Sequence, residues 1–287
     1  MGERALRHHY SDTGVELRVD PALGDVVEPW ARHRARFDGV LASLSDEQWS
    51  AQSRCAAWSN RDVVSHLVDV DAFWTVSLES GRAGEPTTYL RDFDPEHTPL
   101  ALVDARATMS TGEILEAFRT NGARLRKAVD SFGPDDWEKP CESPIGHVSA
   151  RLTLAHALWD SWLHERDVLL GLGLAEDAEL DELAVVTWYS LLFGGAQGGL
   201  LDDPEPVGPG PTERIDAQLS FDELPMTPMR IVVDRGVYVG PADSPKPAGS
   251  AEHFVDALTG RTDVFPPEGV ALDPALVGQL GRARQIL

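Results

Sequence analysis

The segment DSWLHERD, residues 160–167, sets Asp160 and His164 four positions apart, with Asp167 three further on. On an α-helix, residues four apart lie one turn apart on the same face, so a carboxylate and an imidazole can converge on one cation. Both groups are ligands of zinc and related divalent ions. On a wheel of 100° per residue with Asp160 at zero, Thr153, His156, His164 and Asp167 fall within about 40° of it. The competing reading is an ordinary solvated face. Composition favours coordination, because a solvated face in this chain is expected to carry Arg, Glu and Gln, whereas this stripe offers short Asp and His side chains. Around the rest of the circumference the residues are almost all apolar, from Leu152 to Leu170, with Glu165 and Arg166 as exceptions. A helix so apolar is a buried one.

Two ligands need a third from another helix. His66 is the natural candidate: it lies beside the line Val63, Leu67, Val70, Trp74 of an earlier amphipathic segment. The alternative is a structural core histidine. Asp62 and Asp69 flank His66 by about one turn, and either is placed to accept a hydrogen bond that fixes its tautomer. Helical bundles build metal sites from facing helices in this way. His156 reads as a fourth ligand or a proton carrier. His33 and His253 read as surface or core residues. Cys55 and Cys141 are far apart, which excludes a disulfide framework or a CxxC pair, and no helix start or cationic cluster near either predicts a reactive thiolate.

The elements that must position these groups follow from periodicity. Helical spacing of Val27, Trp30, Phe37, Val40, Leu41 and Leu44 predicts a first helix. The second opens at Ser59 or Asn60 as N-cap and is expected to end at Gly81. Residues 81–109 are rich in Gly, Pro and Asp and read as a long functional connection or lid. A third helix is expected at 111–131, an irregular stretch at 132–147, a fourth helix at 148–171 and a fifth in LDELAVVTWYSLLFGG. After a Pro- and Gly-rich linker the pattern changes. RIDAQLSF, MRIVVDRG and VYVG read as strands, and SAEHFVDALTGR as a helix capped by Ser250, with a terminal helix in LDPALVGQLGRARQ. The expected organisation is a leader at 1–20, a helical bundle at 21–200, a linker at 201–214 and a small α+β domain at 215–287.

A length of 287 residues, 42% hydrophobic and 25% charged, suits a soluble globular chain of two domains. A formal charge of -22 opposes a nucleic-acid partner. No apolar run approaches the roughly 20 residues of a membrane span, nor does the start MGERALRHHYSDTG look like a signal peptide. A cytoplasmic protein, monomeric or homodimeric, is expected.

In AAWSNRDVVSHLVDVDAFW and HALWDSWLHERDVLLGLG the chain resembles the mycothiol-dependent maleylpyruvate isomerase family of the DinB superfamily. The resemblance lies in a Trp before a capped helix, an RDVV.HL core whose His binds metal, and a later acid-xxx-His-xx-Asp run ending at Gly. It implies a mainly α, DinB-like up-down bundle followed by a sterol-carrier-like α+β tail. It also implies His66, Asp160 and His164 as ligands of a divalent ion, zinc being the expected one, with mycothiol as thiol cosubstrate. The family's first acid is usually Glu, so Asp160 is one methylene short. The tail YVGPADSPKPAGSAEHFVDALTGR resembles the family's C-terminal domain and makes Arg261 a candidate catalytic and anion-binding residue. The alternative for Arg261 is a helix-terminal charge complementing the macrodipole. An anionic substrate or mycothiol needs a positive anchor, for which Arg61 and Arg261 are the candidates.

Three protein ligands leave a coordination position open, the arrangement of a catalytic ion. The expected activity is addition of an activated thiol to a small-molecule electrophile, by an isomerase or a thiol S-transferase, with natural-product intermediates among the substrates. A non-catalytic binding or regulatory bundle, and a metal hydrolase in which His156 or Asp167 relays protons, are the alternatives.

Overall fold

The computed structural model describes residues 16–94, 97–174, 179–196, 214–234, 236–282 and 284. Residues 1–15 of the leader and 201–213 of the linker lie outside them.

Five longer helices build the bundle: α1 (Val27–Ser43), α3 (Asn60–Ala83), α5 (Thr111–Asp130), α6 (Ala150–Gly171) and α7 (Leu180–Ala196), with the short α2 (Asp46–Ser50) and α4 (Thr98–Asp104) between them. The architecture is mainly α and DinB-like. Ser59 caps α3 and shares a capping box with Asp62, whose carboxylate returns to the Ser59 backbone. Gly81 does not end that helix. A Cβ there would stand 2.3 Å from Cys141 Sγ and 2.5 Å from the Pro140 carbonyl, so Gly81 is where α3 packs closely on other backbone. The left-handed residue that closes α3 is Gly84, at φ 84°.

The irregular stretch after α5 is an antiparallel hairpin, β2 (Pro140–Ser143) with β3 (Gly146–Ser149). The connection 81–109 is anchored beneath by Glu142, a buried carboxylate that accepts from Thr87 Oγ1 and from the backbone of Tyr89 and Leu90. It is therefore tied to the bundle rather than hanging over it as a free lid.

The C-terminal part is a five-stranded sheet of order β1-β6-β5-β4-β7, from β4 (Ile215–Phe221), β5 (Met229–Val233), β6 (Gly236–Pro241) and β7 (Lys246–Gly249). Its first strand, β1 (Glu16–Val19), comes from the expected leader and pairs parallel to β6. Helices α8 (Ala251–Leu258) and α9 (Pro274–Leu280) complete the unit. Bundle and sheet share one continuous core, because α7 is buried at every residue from Glu182 to Ala196 and packs on both. Gly194 and Gly195 make this possible: a Cβ on either would come within 2.8 Å of Leu280 or 2.9 Å of Val237. Each Leu or Val so buried contributes roughly 1.5–3 kcal/mol of hydrophobic stabilisation. The core thus fixes α6 between α3 on one side and α7 on the other.

Candidate metal centre

On α6 the stripe of Thr153, His156, Asp160, His164 and Asp167 faces inward: Thr153 and Asp167 are fully buried, and His156 and His164 nearly so. The solvated-face reading is thereby excluded. Asp160 is half-buried.

His66 on α3, Asp160 and His164 present ligand atoms that all lie within 4.8 Å of one another. The His66 and His164 rings stand edge to face with centroids 5.1 Å apart, and Trp58 lies over both, at 5.0 and 6.1 Å. His164 Nε2 is 3.6 Å from Asp160 Oδ1. Two tetrahedral ligands on one ion at ~2.1 Å stand at about that separation. Two atoms here, Asp160 Oδ2 and His66 Nδ1, are buried without a hydrogen-bond partner among the described residues. A buried polar atom left unpaired costs roughly 1–3 kcal/mol. Two imidazoles and a carboxylate are a zinc-type donor set, and unpaired donors among them fit a cation.

Electrostatics agree. Burial pushes His66 down to about 4, with the Asp160 charge opposing. Burial acts on His164 in the same direction, but Asp160, the hydrogen bond to Asp167 and Cys55 outweigh it and lift His164 to about 10. The His66 imidazole is thus held neutral, the form that ligates, while the acids around His164 favour positive charge there.

A second group of ligand-type atoms, Cys55, His164 and Asp167, sits on the other side of the His164 ring. Here every partner is taken. Asp167 Oδ2 accepts from His164 Nδ1 at 3.1 Å, from Arg261 at 2.8 Å and from Cys55 Sγ at 3.1 Å. Its Oδ1 accepts from Arg54 Nε at 3.2 Å and Arg261 Nε at 3.3 Å. Burial alone would raise the Asp167 carboxyl, but these partners hold it far below the usual carboxylate range. Two guanidiniums on one carboxylate leave no role for a metal. Asp167 instead orients His164, the partner that a ligating imidazole commonly has. Close approach of the Arg54 loop is permitted by Gly171, whose absent Cβ would lie 3.1 Å from Gln52 O and Ser53 Cα.

The remaining expected residues are placed as follows. Arg261 reaches the bundle from the end of α8, and its guanidinium is committed to Asp167 and to the Thr259 carbonyl. Arg61 is not brought to the cluster: it clamps the carbonyls of Arg106 and Met109, both at 2.6 Å, and five residues of helix turn it about 140° from His66. Neither flanking acid reaches His66, since Asp62 closes the capping box and Asp69 pairs with Arg106. His156 is bonded through Nδ1 to Tyr189 Oη on α7 at 2.7 Å and does not belong to the cluster. His33 is a core residue, fully buried among Ser161, Arg36 and Glu165.

Arg54 and Tyr189 escaped the sequence reading, and Trp58 entered it only as the Trp before a capped helix. Nothing in that motif assigned Trp58 a place over the two imidazoles. Tyr189 lies in a helix apolar on all sides, whose pattern marks no face.

Residues 30–169 match the model of the mycothiol maleylpyruvate isomerase N-terminal domain. A crystal structure of the mycothiol-dependent maleylpyruvate isomerase superposes with a TM-score of 0.58 at 17% identity, covering 86% of this chain and 90% of that one. A structure of a histidine-to-alanine mutant of that isomerase gives 0.55 at 18%, with the same coverage. No curated protein sequence matches the chain. The stretch that carries His66, Asp160 and His164 is thus similar to the mycothiol maleylpyruvate isomerase N-terminal domain, and the chain shares the fold of the solved isomerase.

Proposed function

We propose that the protein is a mycothiol-dependent metalloenzyme of the maleylpyruvate isomerase type, which adds a thiol to the conjugated double bond of a small electrophile. The observation that carries this is the meeting of His66, Asp160 and His164, with two of their polar atoms unpaired, inside the domain matched to that family.

In this reading His66, Asp160 and His164 hold a divalent ion, zinc being the one their chemistry suits. When bound, the ion supplies Lewis acidity that favours thiolate over thiol. Asp167 takes the proton of His164 Nδ1 as a hydrogen bond and so turns Nε2 toward the cluster. Arg54 and Arg261 keep Asp167 ionised and immobile, and Arg261 is the contribution of the C-terminal unit to the site. Trp58 covers the two imidazoles and limits water around them. Isomerisation follows when the adduct rotates and expels the thiol, and S-transfer follows when it does not. Isomerisation is the reading favoured by the structural neighbours.

The test is elemental analysis of the purified protein, followed by incubation with mycothiol and maleylpyruvate. One divalent ion per chain and thiol-dependent conversion of the cis to the trans isomer are expected. No bound metal, or conversion that does not need mycothiol, overturns the proposal.

A further inference from the structure

One turn before Asp160, on the same stripe of α6, His156 sits in an aromatic sleeve. Trp74, Trp159, Tyr189 and Phe193 surround its ring at centroid distances of 4.9, 5.4, 5.1 and 5.4 Å. Its Nδ1 is 2.7 Å from Tyr189 Oη, and that is the only hydrogen bond of the Tyr189 side chain among the described residues. Tyr189 is completely buried. Were the imidazole the donor, the phenol proton would be sealed in without an acceptor, at a cost of roughly 1–3 kcal/mol. The phenol therefore donates, and a neutral imidazole that accepts at Nδ1 must carry its proton on Nε2.

Burial keeps both partners uncharged at neutral pH, pushing His156 down to about 4 and Tyr189 well above its ordinary value, with Asp160 a smaller influence on each. His156 Nε2 has no partner among the described residues, yet it is not among the buried polar atoms cut off from solvent. It is a fixed N–H donor that keeps some solvent contact and has nothing to donate to among the described residues.

We infer that His156 Nε2–H receives the carbonyl oxygen of the electrophile and stabilises the enolate formed on thiol addition, with Tyr189 as the positioning residue that locks the tautomer. The inference rests on the thiol-addition reading above. When the thiolate attacks, the sulfur–carbon bond forms at the β-carbon, the π pair moves to join the α- and carbonyl carbons, and the charge settles on the carbonyl oxygen. The former double bond is then single and rotates. Return of the electron pair restores the double bond and expels the thiolate, with no net proton or redox change. A neutral donor suits this sequence because the carbonyl is neutral in the ground state and anionic only as the adduct forms, so the hydrogen bond strengthens along the reaction. A permanent anion is a poorer guest, since the Asp160 carboxylate is one turn away. Four residues of helix rise about 6 Å, a span suited to the few bonds between an attacking sulfur and that oxygen. Arg61 and Arg261, the cations expected for this task, are committed to other partners.

The test compares metal-loaded wild type with His156→Phe, His156→Gln and Tyr189→Phe in the mycothiol-dependent isomerisation of maleylpyruvate, alongside metal content and imidazole ¹⁵N NMR. Expected are a fall in kcat of about 100-fold for His156→Phe, with metal content and the KM for mycothiol within about twofold of wild type. His156→Gln, which keeps a side-chain N–H, should recover at least about tenfold over His156→Phe. Tyr189→Phe should lower kcat several-fold, and the NMR should show the Nε2–H tautomer in wild type but a mixture in this variant. Wild-type kcat in His156→Phe, no recovery in His156→Gln, or an Nδ1–H tautomer in wild type would each overturn the assignment while leaving the thiol-addition reading intact. A wild type inactive on maleylpyruvate overturns that reading and this inference with it.

Discussion

The two sides of the His164 ring hold nearly the same inventory of ligand-type atoms and differ in what is left over. On the Nε2 side, Asp160 Oδ2 and His66 Nδ1 are buried with no partner among the described residues. On the Nδ1 side, Asp167 is saturated by His164, Cys55, Arg54 and Arg261. Crowding of His, Cys and Asp alone therefore does not mark a metal site. What separates the two sides is unspent hydrogen-bonding capacity on converging ligand-type atoms, which a bound cation would satisfy.

The comparison is open to direct attack. The largest effect is expected from His66→Ala, which removes a ligand from the unsatisfied side: affinity for zinc, measured by competition with a chelator, should fall more than the 10–100-fold typical of an outer partner, while the circular dichroism spectrum is kept. Asp167→Asn strikes the saturated side. Zinc affinity should drop only 10–100-fold, but two guanidiniums lose their counter-charge, and urea unfolding should show a loss of about 3–5 kcal/mol.

A smaller and pH-dependent effect comes from Glu165. Burial would raise its carboxyl, but His33 and Arg36 outweigh that and hold it at about 2. Because this lies below its ordinary 4.5, ionised Glu165 stabilises the fold above that pH, and the contribution is lost as pH falls from 4.5 through about 2. Glu165→Gln should flatten the stability curve over that window. Gly81→Ala offers a control remote from both sides: the overpacking against Pro140 and Cys141 should cost about 1–3 kcal/mol, with zinc affinity unchanged. The smallest effect is expected from Cys55→Ser. Zinc affinity within about twofold of wild type would sharpen the contrast between the two sides, whereas a large loss would make Cys55 a ligand and erase it.

Much of this was legible in the residue pattern. Helical period placed α1, α3, α5, α6 and α7, and the i, i+4 spacing put Asp160 and His164 on one face of α6, where His66, the candidate from α3, comes within ligand distance of them. What escaped detection depended on contacts between distant segments. Gly81 looked like a helix end because its packing partners, Pro140 and Cys141, are some 60 residues away, in a hairpin too short to show alternation. Strand β1 was hidden in a polar leader because an edge strand needs only one apolar face, and its partner β6 comes some 220 residues later. Arg61 and Arg261 were read as free cations, since nothing local reveals that carbonyls at 106 and 109 or the Asp167 carboxylate claim them. Asp62 and Asp69 failed as partners of His66 for the same reason: a capping box and an arginine from another segment had prior claim.

The central claim is that one cation is shared by His66, Asp160 and His164. Anomalous diffraction at the zinc edge from crystals of the metal-loaded protein tests it most directly. The account predicts a single strong peak at ~2.0–2.2 Å from a ring nitrogen of each histidine and an oxygen of Asp160. A peak centred instead among Cys55, His164 and Asp167, or no peak in a protein that binds zinc in solution at one equivalent, would contradict it.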